Sequence, residues 1–253
     1  MKVLPFFKSH YSLGRSILTL EKPEQSKPHL ADSIFDIVKD NNLDKFFLIE
    51  DSFSGFLQAH SNAKSIKSQL IFGLRLSVTD NMLEKTEDSL SKRSKIVIIA
   101  KNKAGIDKLI KIYSTAAKDG FYYEPCTDFN YLSNIWDEKE LSLVVPFYDS
   151  FLHRNVLYGK NCVPNFNFCQ PCFSIEDNNL PFDFLIEGRV KEYCAGKFET
   201  IRAKSIYYKS KKDYLAYLTF KCINNRTTLE KPNMDHMSSN EFCWESLVNQ
   251  NKS

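Results

Sequence analysis

Short apolar runs alternate with segments of helical period along most of the chain. Runs rich in branched and aromatic residues are typical of buried strands. They predict strands over residues 46–49, 70–76, 96–100, 141–145, 182–186 and 198–203. Strands that alternate with helices favour a parallel, barrel-like sheet, so the pattern predicts an α/β fold.

Other segments carry the apolar stripe of an amphipathic helix. The clearest covers residues 104–120, and its stripe consists of Ile106, Leu109, Ile110, Tyr113 and Ala117. A second helix is predicted after Pro28, with an inward face of Leu30, Ile34, Ile37 and Val38. A third is predicted over residues 213–223.

The length of the chain fits one barrel domain. With 253 residues, of which 43% are hydrophobic, the chain can bury a large core. Polar composition predicts loops over residues 81–94 and 159–170 and a loosely held tail from Pro232. We therefore assign residues 1–245 to one barrel domain and residues 246–253 to a flexible tail.

Charge and cysteine content limit the function classes. The net charge of +3 is too small to indicate a phosphate-binding surface by itself. Seven cysteines, an odd number, and a start without a signal peptide favour reduced thiols in a cytoplasm. The apolar runs are far shorter than the roughly 20 residues of a transmembrane helix, so we expect a soluble protein.

Five segments, in order, carry a family resemblance. They are SHYSL, LIEDSFSG, LIFGLRLSV, AKNKAGIDKLIKIYSTAAKDGFYYEP and RAKSIYYKSKKDYLAYLTFKCINNRTTLEKP. Together they resemble the PHP domain of the bacterial DNA polymerase III alpha subunit. The resemblance implies a distorted (β/α)7 barrel. In active members the strand ends hold divalent metals that hydrolyse phosphoesters, which requires histidine and carboxylate ligands.

The first two ligand positions of the family are changed in this chain. Where the family has His-x-His, the alignment places Phe6 and Lys8, and His10 lies two residues further on. Where the family has Asp-His, Asp51 is followed by Ser52. One carboxylate thus remains from four expected ligands, which is too few for a metal cluster.

The later ligand positions are changed as well. A family carboxylate is replaced by Arg75, which reverses the local charge, and a usual Cys or His is replaced by Phe147 and Tyr148. The closing Asp-x-His of the family corresponds to Ser205 and Tyr207.

Three basic residues, Lys8, Arg75 and Lys204, are predicted near the pocket that would hold the metals. Their charges oppose metal binding, so we expect no catalytic residue, no bound metal and no cofactor.

Three further sets of residues leave alternatives open. Cys169 and Cys172, with Cys162 and Cys194 nearby in sequence, have a spacing that suits a zinc site, a redox pair or ordinary buried thiols. His10 and Asp51 are two potential ligands for a single ion. Aromatic residues 121–123 suit base stacking or core packing, and packing is the favoured interpretation.

The sequence therefore predicts a free-standing, degenerate PHP domain in a DNA replication system, cytoplasmic, with a phage or viral origin left open. Its expected partner is a polymerase or exonuclease subunit, with DNA contact as a further option. One alternative is a 3′–5′ exonuclease or phosphoesterase that uses zinc or manganese at a site rebuilt from Asp51, His10 and Asp149 or cysteines. Another is a nucleic-acid-binding module in which Lys8, Arg75 and Lys204 bind phosphate.

Overall fold

The computed structural model describes residues 3–22, 31–230 and 239–252. Its strands are β1 (Leu4–Phe7), β2 (Lys45–Glu50), β3 (Gln69–Thr79), β4 (Ser94–Ala100), β5 (Cys126–Asp128), β6 (Leu141–Val145), β7 (Cys172–Ile175) and β8 (Glu199–Ile206). Its helices are α1 (Ile34–Asp40), α2 (Phe56–Ser65), α3 (Glu87–Ser91), α4 (Lys103–Lys118), α5 (Phe129–Ile135), α6 (Phe151–Tyr158), α7 (Asp183–Cys194), α8 (Tyr214–Asn225) and α9 (Trp244–Lys252). Within the described ranges, no helix combines the length and the apolar character needed to cross a membrane.

The strands form one hydrogen-bonded sheet in the order β2-β1-β8-β7-β6-β4-β3-β5, and β2 also pairs with β3. This second pairing closes a ring of seven strands, to which β5 is added. The predicted α/β barrel is confirmed.

Strand β4 departs from the parallel arrangement that the sequence suggests. It runs antiparallel to β3, with Arg75 opposite Val97 and Ser77 opposite Lys95, and it is also antiparallel to β6. The connection between β3 and β4 covers residues 80–93 and contains the five-residue helix α3. The pairs β1–β2, β1–β8, β3–β5 and β6–β7 are parallel.

One predicted strand was wrong. Residues 183–186 begin helix α7, which continues to Cys194. A short apolar run cannot be assigned to strand or helix by periodicity alone. The Asp183 carboxylate accepts hydrogen bonds from the backbone N–H groups of Asn178 and Leu180 and so fixes the loop that precedes the helix. Strands β1, β5 and β7 are three or four residues long and were not predicted.

The clearest predicted helix is confirmed as α4, but its predicted apolar stripe is not the buried face: of that stripe only Leu109 is fully buried, and Ile110 is 44% exposed. Asn102 caps it by accepting a hydrogen bond from the Gly105 N–H at 3.0 Å, and Leu109, Ile112 and Ala116 are buried. Gly105 is needed for close packing, because a Cβ atom there would lie 2.2 Å from the carbonyl oxygen of Glu140.

The other helix predictions are confirmed in part. The helix over residues 213–223 matches α8, and Ile34, Ile37 and Val38 lie in α1. Pro28, Leu30 and Pro232 lie outside the described residues. Of the tail predicted over residues 246–253, the part up to Lys252 belongs to α9, where Ser246 and Leu247 are buried. Polar composition concealed this helix.

The chain divides into two compact units. Unit 1 contains residues 1–72, 176–183 and 202–253. Within it, the ring of Phe7 stacks on Trp244 with centroids 5.7 Å apart and packs edge-on against Phe46. These aromatic contacts hold the end of β1, where the candidate site begins.

Unit 2 contains residues 73–175 and 184–201. An aromatic cluster fills one part of its core, with Phe173 at the centre and contacting Phe151, Phe166, Tyr193 and Phe198. The predicted loop over residues 159–170 runs beside this cluster without regular structure.

Candidate functional site

The ion pair between Lys8 and Asp51 occupies two strand ends of unit 1. Lys8 follows the last residue of β1, and Asp51 follows the last residue of β2. The Lys8 Nζ lies 2.8 Å from Asp51 Oδ1, and Lys8 is only 4% exposed. The ammonium group therefore stands beside the one carboxylate that sequence comparison retained from the expected metal ligands.

A second carboxylate, Glu50, lies next to this pair and is buried. One oxygen accepts the backbone N–H of Ser9 at 2.8 Å, and the other accepts the Ser12 hydroxyl at 2.5 Å. Burial raises the pKa of Glu50, although the charge of Lys8 and the serine hydrogen bonds act in the opposite direction. Glu50 thus fixes the loop that follows β1.

Glu176 performs the same task at another pair of strand ends in unit 1. It is buried, and it accepts hydrogen bonds from both the backbone N–H and the hydroxyl of Ser205, each at 2.8 Å. The side-chain amide of Asn178 donates a third at 3.0 Å. Burial raises the pKa of Glu176, and these hydrogen bonds partly offset that effect.

Lys204 is completely buried in unit 1. Its Nζ donates to the carbonyl oxygen of Asp177 at 3.1 Å and to Asn178 Oδ1 at 2.9 Å. Burial lowers the pKa of Lys204, and the nearby charge of Glu176 opposes this shift. With no exposed surface and its donors directed at protein oxygens, Lys204 cannot take the role of a phosphate ligand that one sequence hypothesis gave it.

The remaining predicted positions of unit 1 make contacts within the protein. The Nδ1 atom of His10 is 3.4 Å from the carbonyl oxygen of Leu18, and the Ser52 hydroxyl donates to Ser54. The ring of Tyr207 stacks between two other aromatic rings, at 5.7 Å and 5.3 Å between centroids; they belong to Tyr217 and Phe242. Phe6 is 8% exposed and packs edge-on against Phe47.

Within unit 2, Arg75 forms an ion pair with Asp149. Arg75 lies on β3, and Asp149 lies in the turn after β6. Phe147 and Tyr148 precede Asp149 and are buried, with their rings edge-to-face at 5.0 Å. The exonuclease hypothesis used Asp149 as a metal ligand, but a guanidinium group already holds that carboxylate.

A second ionic group of unit 2 joins strands β3 and β4. The Lys95 Nζ donates to Glu124 Oε2 and to the Ser77 hydroxyl, both at 2.6 Å, and that hydroxyl donates to the other oxygen of Glu124. Burial alone would raise the pKa of Glu124, but Lys95 and Ser77 bring it below its ordinary value. Sequence analysis did not select these three residues.

The cysteine residues of the CxxC pair are protonated thiols in unit 2. Cys169 ends the loop before β7, and Cys172 is the first residue of that strand. Burial raises the pKa of Cys169 to about 12 and that of Cys172 to about 11. Neither is an available thiolate at neutral pH, so this environment does not favour the redox interpretation.

Two aromatic residues after α4 are more exposed than the core-packing interpretation predicts. Tyr123 is 78% exposed and Phe121 is 50% exposed, so these two rings do not belong to the core. Tyr123 also has a left-handed backbone with φ of 64°. Base stacking stays open for this pair.

The described side chains do not fit a multinuclear metal centre. Among residues 3–22, 31–230 and 239–252, no group of three or more His, Cys, Asp or Glu is arranged to hold an ion. Asp51 and Asp149 are each held by a basic side chain of their own unit. Metal clusters need several hard ligands directed at one point, and these carboxylates are directed at ammonium and guanidinium groups instead.

Sequence analysis missed Glu50, Glu176 and Glu124. Glu50 directly follows the predicted strand over residues 46–49, which is a recognisable signal, whereas Glu176 follows β7, which was not predicted. Instead of these two glutamates, the family resemblance selected Asp51, which follows Glu50, and Ser205, which donates a hydrogen bond to Glu176. Glu124 follows no predicted strand and carried no such signal.

A search of curated proteins found no significant match to the chain. A family model described as the PHP domain matches residues 9–160, which is more than half of the 253 residues. PHP domains occur in polymerases and in phosphoesterases. The match includes Asp51, Arg75 and Asp149, whose geometry is described above. This chain belongs to the PHP domain family.

Proposed function

We propose that this chain is a non-catalytic PHP domain that acts as a structural or interaction module in DNA replication, in a system like that of DNA polymerase III alpha. The observation that carries the proposal is the Lys8–Asp51 ion pair, 2.8 Å long, in which the lysine is buried and the aspartate side chain is 34% exposed. A divalent cation and an ammonium group compete for the same carboxylate oxygens, so a lysine fixed there opposes metal binding.

Three more features of the chain support the loss of hydrolysis. Arg75 holds Asp149 in unit 2, and Lys204 is directed at protein oxygens in unit 1. Glu50 and Glu176 accept hydrogen bonds from serine residues, which fixes strand-end loops. In this proposal the strand-end carboxylates stabilise the fold, and the partner is a polymerase or exonuclease subunit met in the cytoplasm.

The first experiment measures hydrolysis. The purified chain is incubated with a phosphodiester substrate and with single-stranded DNA in the presence of manganese or zinc, beside the Asp51→Ala variant. We expect equal background rates for both proteins. Hydrolysis by the wild type that the Asp51→Ala variant loses would establish the enzyme alternative.

The second experiment measures association. The full chain is mixed with replication proteins of its own source, above all a polymerase that lacks an amino-terminal PHP domain, and the mixture is analysed by size-exclusion chromatography with light scattering. We expect a stoichiometric complex. Separate elution of every mixture at micromolar concentrations would contradict the interaction role while leaving the hydrolysis result unaffected.

A further inference from the structure

A cleft on unit 2 is lined by aromatic rings and by one charged side chain. Its volume is about 780 Å³, and its walls include Phe166, Phe168, Tyr193 and Phe198. All four rings are half-buried, so part of each is accessible. A cavity of this size is within the range of small-molecule sites.

The rings provide walls in different directions. Tyr193 and Phe198 are nearly parallel, with 13° between their planes and 6.0 Å between centroids. Phe166 is almost perpendicular to Phe198, at 81° and 6.2 Å. Aromatic rings carry negative charge on their faces, and several rings set at angles to one another can surround a cation.

The electrostatics of the cleft also favour a cation. Glu138 is the one residue of an acidic or basic type in its lining. The Cys169 thiol, with its pKa raised to about 12, is neutral, and burial raises the pKa of the Tyr193 hydroxyl, so this group is neutral as well. The cleft therefore presents a negative charge, π-electron surfaces and no basic side chain.

Glu138 is positioned to act on a ligand. Its Oε1 atom accepts the backbone N–H of Gln170 at 2.8 Å, which holds the carboxylate against the loop whose residues 163–170 supply most of the lining. Phe168 in the same loop packs edge-on against Trp136, with centroids 5.3 Å apart. Two side chains that a ligand would touch are thus held in place by the fold.

We propose that this cleft binds a methylated ammonium group, held by cation–π contacts with the rings and by the charge of Glu138. Two kinds of ligand carry such a group: a free quaternary amine and a trimethylated lysine side chain of another protein. The cavity has room for the cation and for part of the chain attached to it. This site is independent of the strand-end residues that carry the proposed function.

Calorimetric titration of the full chain tests the proposal with three kinds of ligand. They are tetramethylammonium and choline, a peptide with one trimethyllysine, and the neutral isostere in which carbon replaces the nitrogen of choline. We expect a free cation or the peptide to bind about tenfold more tightly than the neutral isostere. Whichever of the free cation and the peptide binds more tightly identifies the source of the methylated ammonium group. Equal affinity for the neutral isostere, or no binding of either cation source at millimolar concentration, would overturn the proposal.

Variants locate the site. Glu138→Gln keeps the oxygen that accepts from Gln170 and removes the charge, and Phe168→Leu removes one ring; each is expected to weaken cation binding about fivefold or more. Glu192→Gln is the matched control, because this exposed acid pairs with Arg189 on α7 and is not part of the lining. Thermal unfolding verifies that each variant is folded. Unchanged affinity in the folded Glu138→Gln protein would exclude the cleft as the binding site.

Discussion

The buried carboxyl group of Glu50 makes the stability of the protein depend on pH, and a substitution at this position isolates its contribution. Burial raises its pKa above the ordinary 4.5, so the folded state binds the proton more tightly than the unfolded state. Its contribution to stability is therefore complete below pH 4.5 and is lost as the pH rises through the raised pKa. Glu50→Gln has no such proton; its amide oxygen can still accept from the Ser9 N–H, and its amide nitrogen can donate to the Ser12 hydroxyl oxygen. We expect the stability of the variant, relative to wild type, to increase as the pH rises above 4.5 in urea titrations.

Glu124 supplies the control for this prediction. Its pKa lies below 4.5, so its contribution to stability is complete above that pH and is lost only as the pH falls further. The difference between Glu124→Gln and wild type should accordingly stay constant over the range in which the Glu50→Gln difference changes. A constant difference for both variants would show that burial does not raise the pKa of Glu50.

Single residues also show where sequence reasoning stops. The prediction that Lys8 and Arg75 stand where the family has metal-binding types rests on residue type and on the family resemblance alone. The partners of Lys8 and Arg75 cannot be predicted from the sequence, because an ion pair such as Arg75–Asp149 joins residues far apart in the chain. Arg93 illustrates the same limit. It lies in the segment predicted as a polar loop over residues 81–94, yet it is 2% exposed and donates to the Tyr122 carbonyl oxygen at 2.7 Å.

At the scale of elements, strongly periodic or apolar segments were predictable and short ones were not. The strands β2, β4 and β6 follow their apolar runs within two residues, and α4 covers the predicted helical segment, although its buried face is shifted from the predicted stripe. Strands β1 and β7 have four residues each, too few for a pattern to emerge, and their placement depends on pairing with neighbours. The run over residues 182–186 became helix α7 because tertiary context decides the state of a short apolar segment.

Two helical glycines of unit 2 permit a matched test of packing. An alanine Cβ at Gly105 would lie 2.2 Å from the Glu140 carbonyl oxygen and 3.3 Å from the Ala100 Cα, both of which are backbone atoms. Backbone atoms cannot move aside as the end of a side chain can. Gly105→Ala should therefore lower the free energy of unfolding by about 1–3 kcal/mol in chemical denaturation.

Gly188 on α7 is the comparison, because no atom lies within 4 Å of the position of its Cβ. Alanine has the higher helix propensity, so Gly188→Ala should raise the free energy of unfolding by about 0.5–1 kcal/mol. The opposite signs separate a packing effect from the general effect of alanine. A stabilising Gly105→Ala substitution would mean that α4 does not pack closely on the chain at Glu140.

At the scale of the whole molecule, the family and the barrel were predictable from ordered motifs, since these extend over much of the sequence. At the strand ends, the family resemblance predicts only a loss of ligands. The contacts that the residues there make required three-dimensional information: Lys8 with Asp51 and Glu50 in unit 1, and Arg75 with Asp149 in unit 2. In each unit, therefore, a basic side chain compensates the negative charge of a carboxylate.

This compensation predicts that the fold does not depend on divalent ions. A bound ion at one hundred times its Kd would stabilise the protein by about 2.7 kcal/mol, which thermal unfolding detects easily. We expect the same Tm in excess chelator and in about 1 mM manganese, because Asp51 and Asp149 already have cationic partners. Manganese is preferred over zinc, since thiols of the unfolded chain bind zinc and distort the comparison. A manganese-dependent rise in Tm that Asp51→Asn removes would mean that an ion displaces Lys8, and the chain would then have to be regarded as a metal-binding PHP domain.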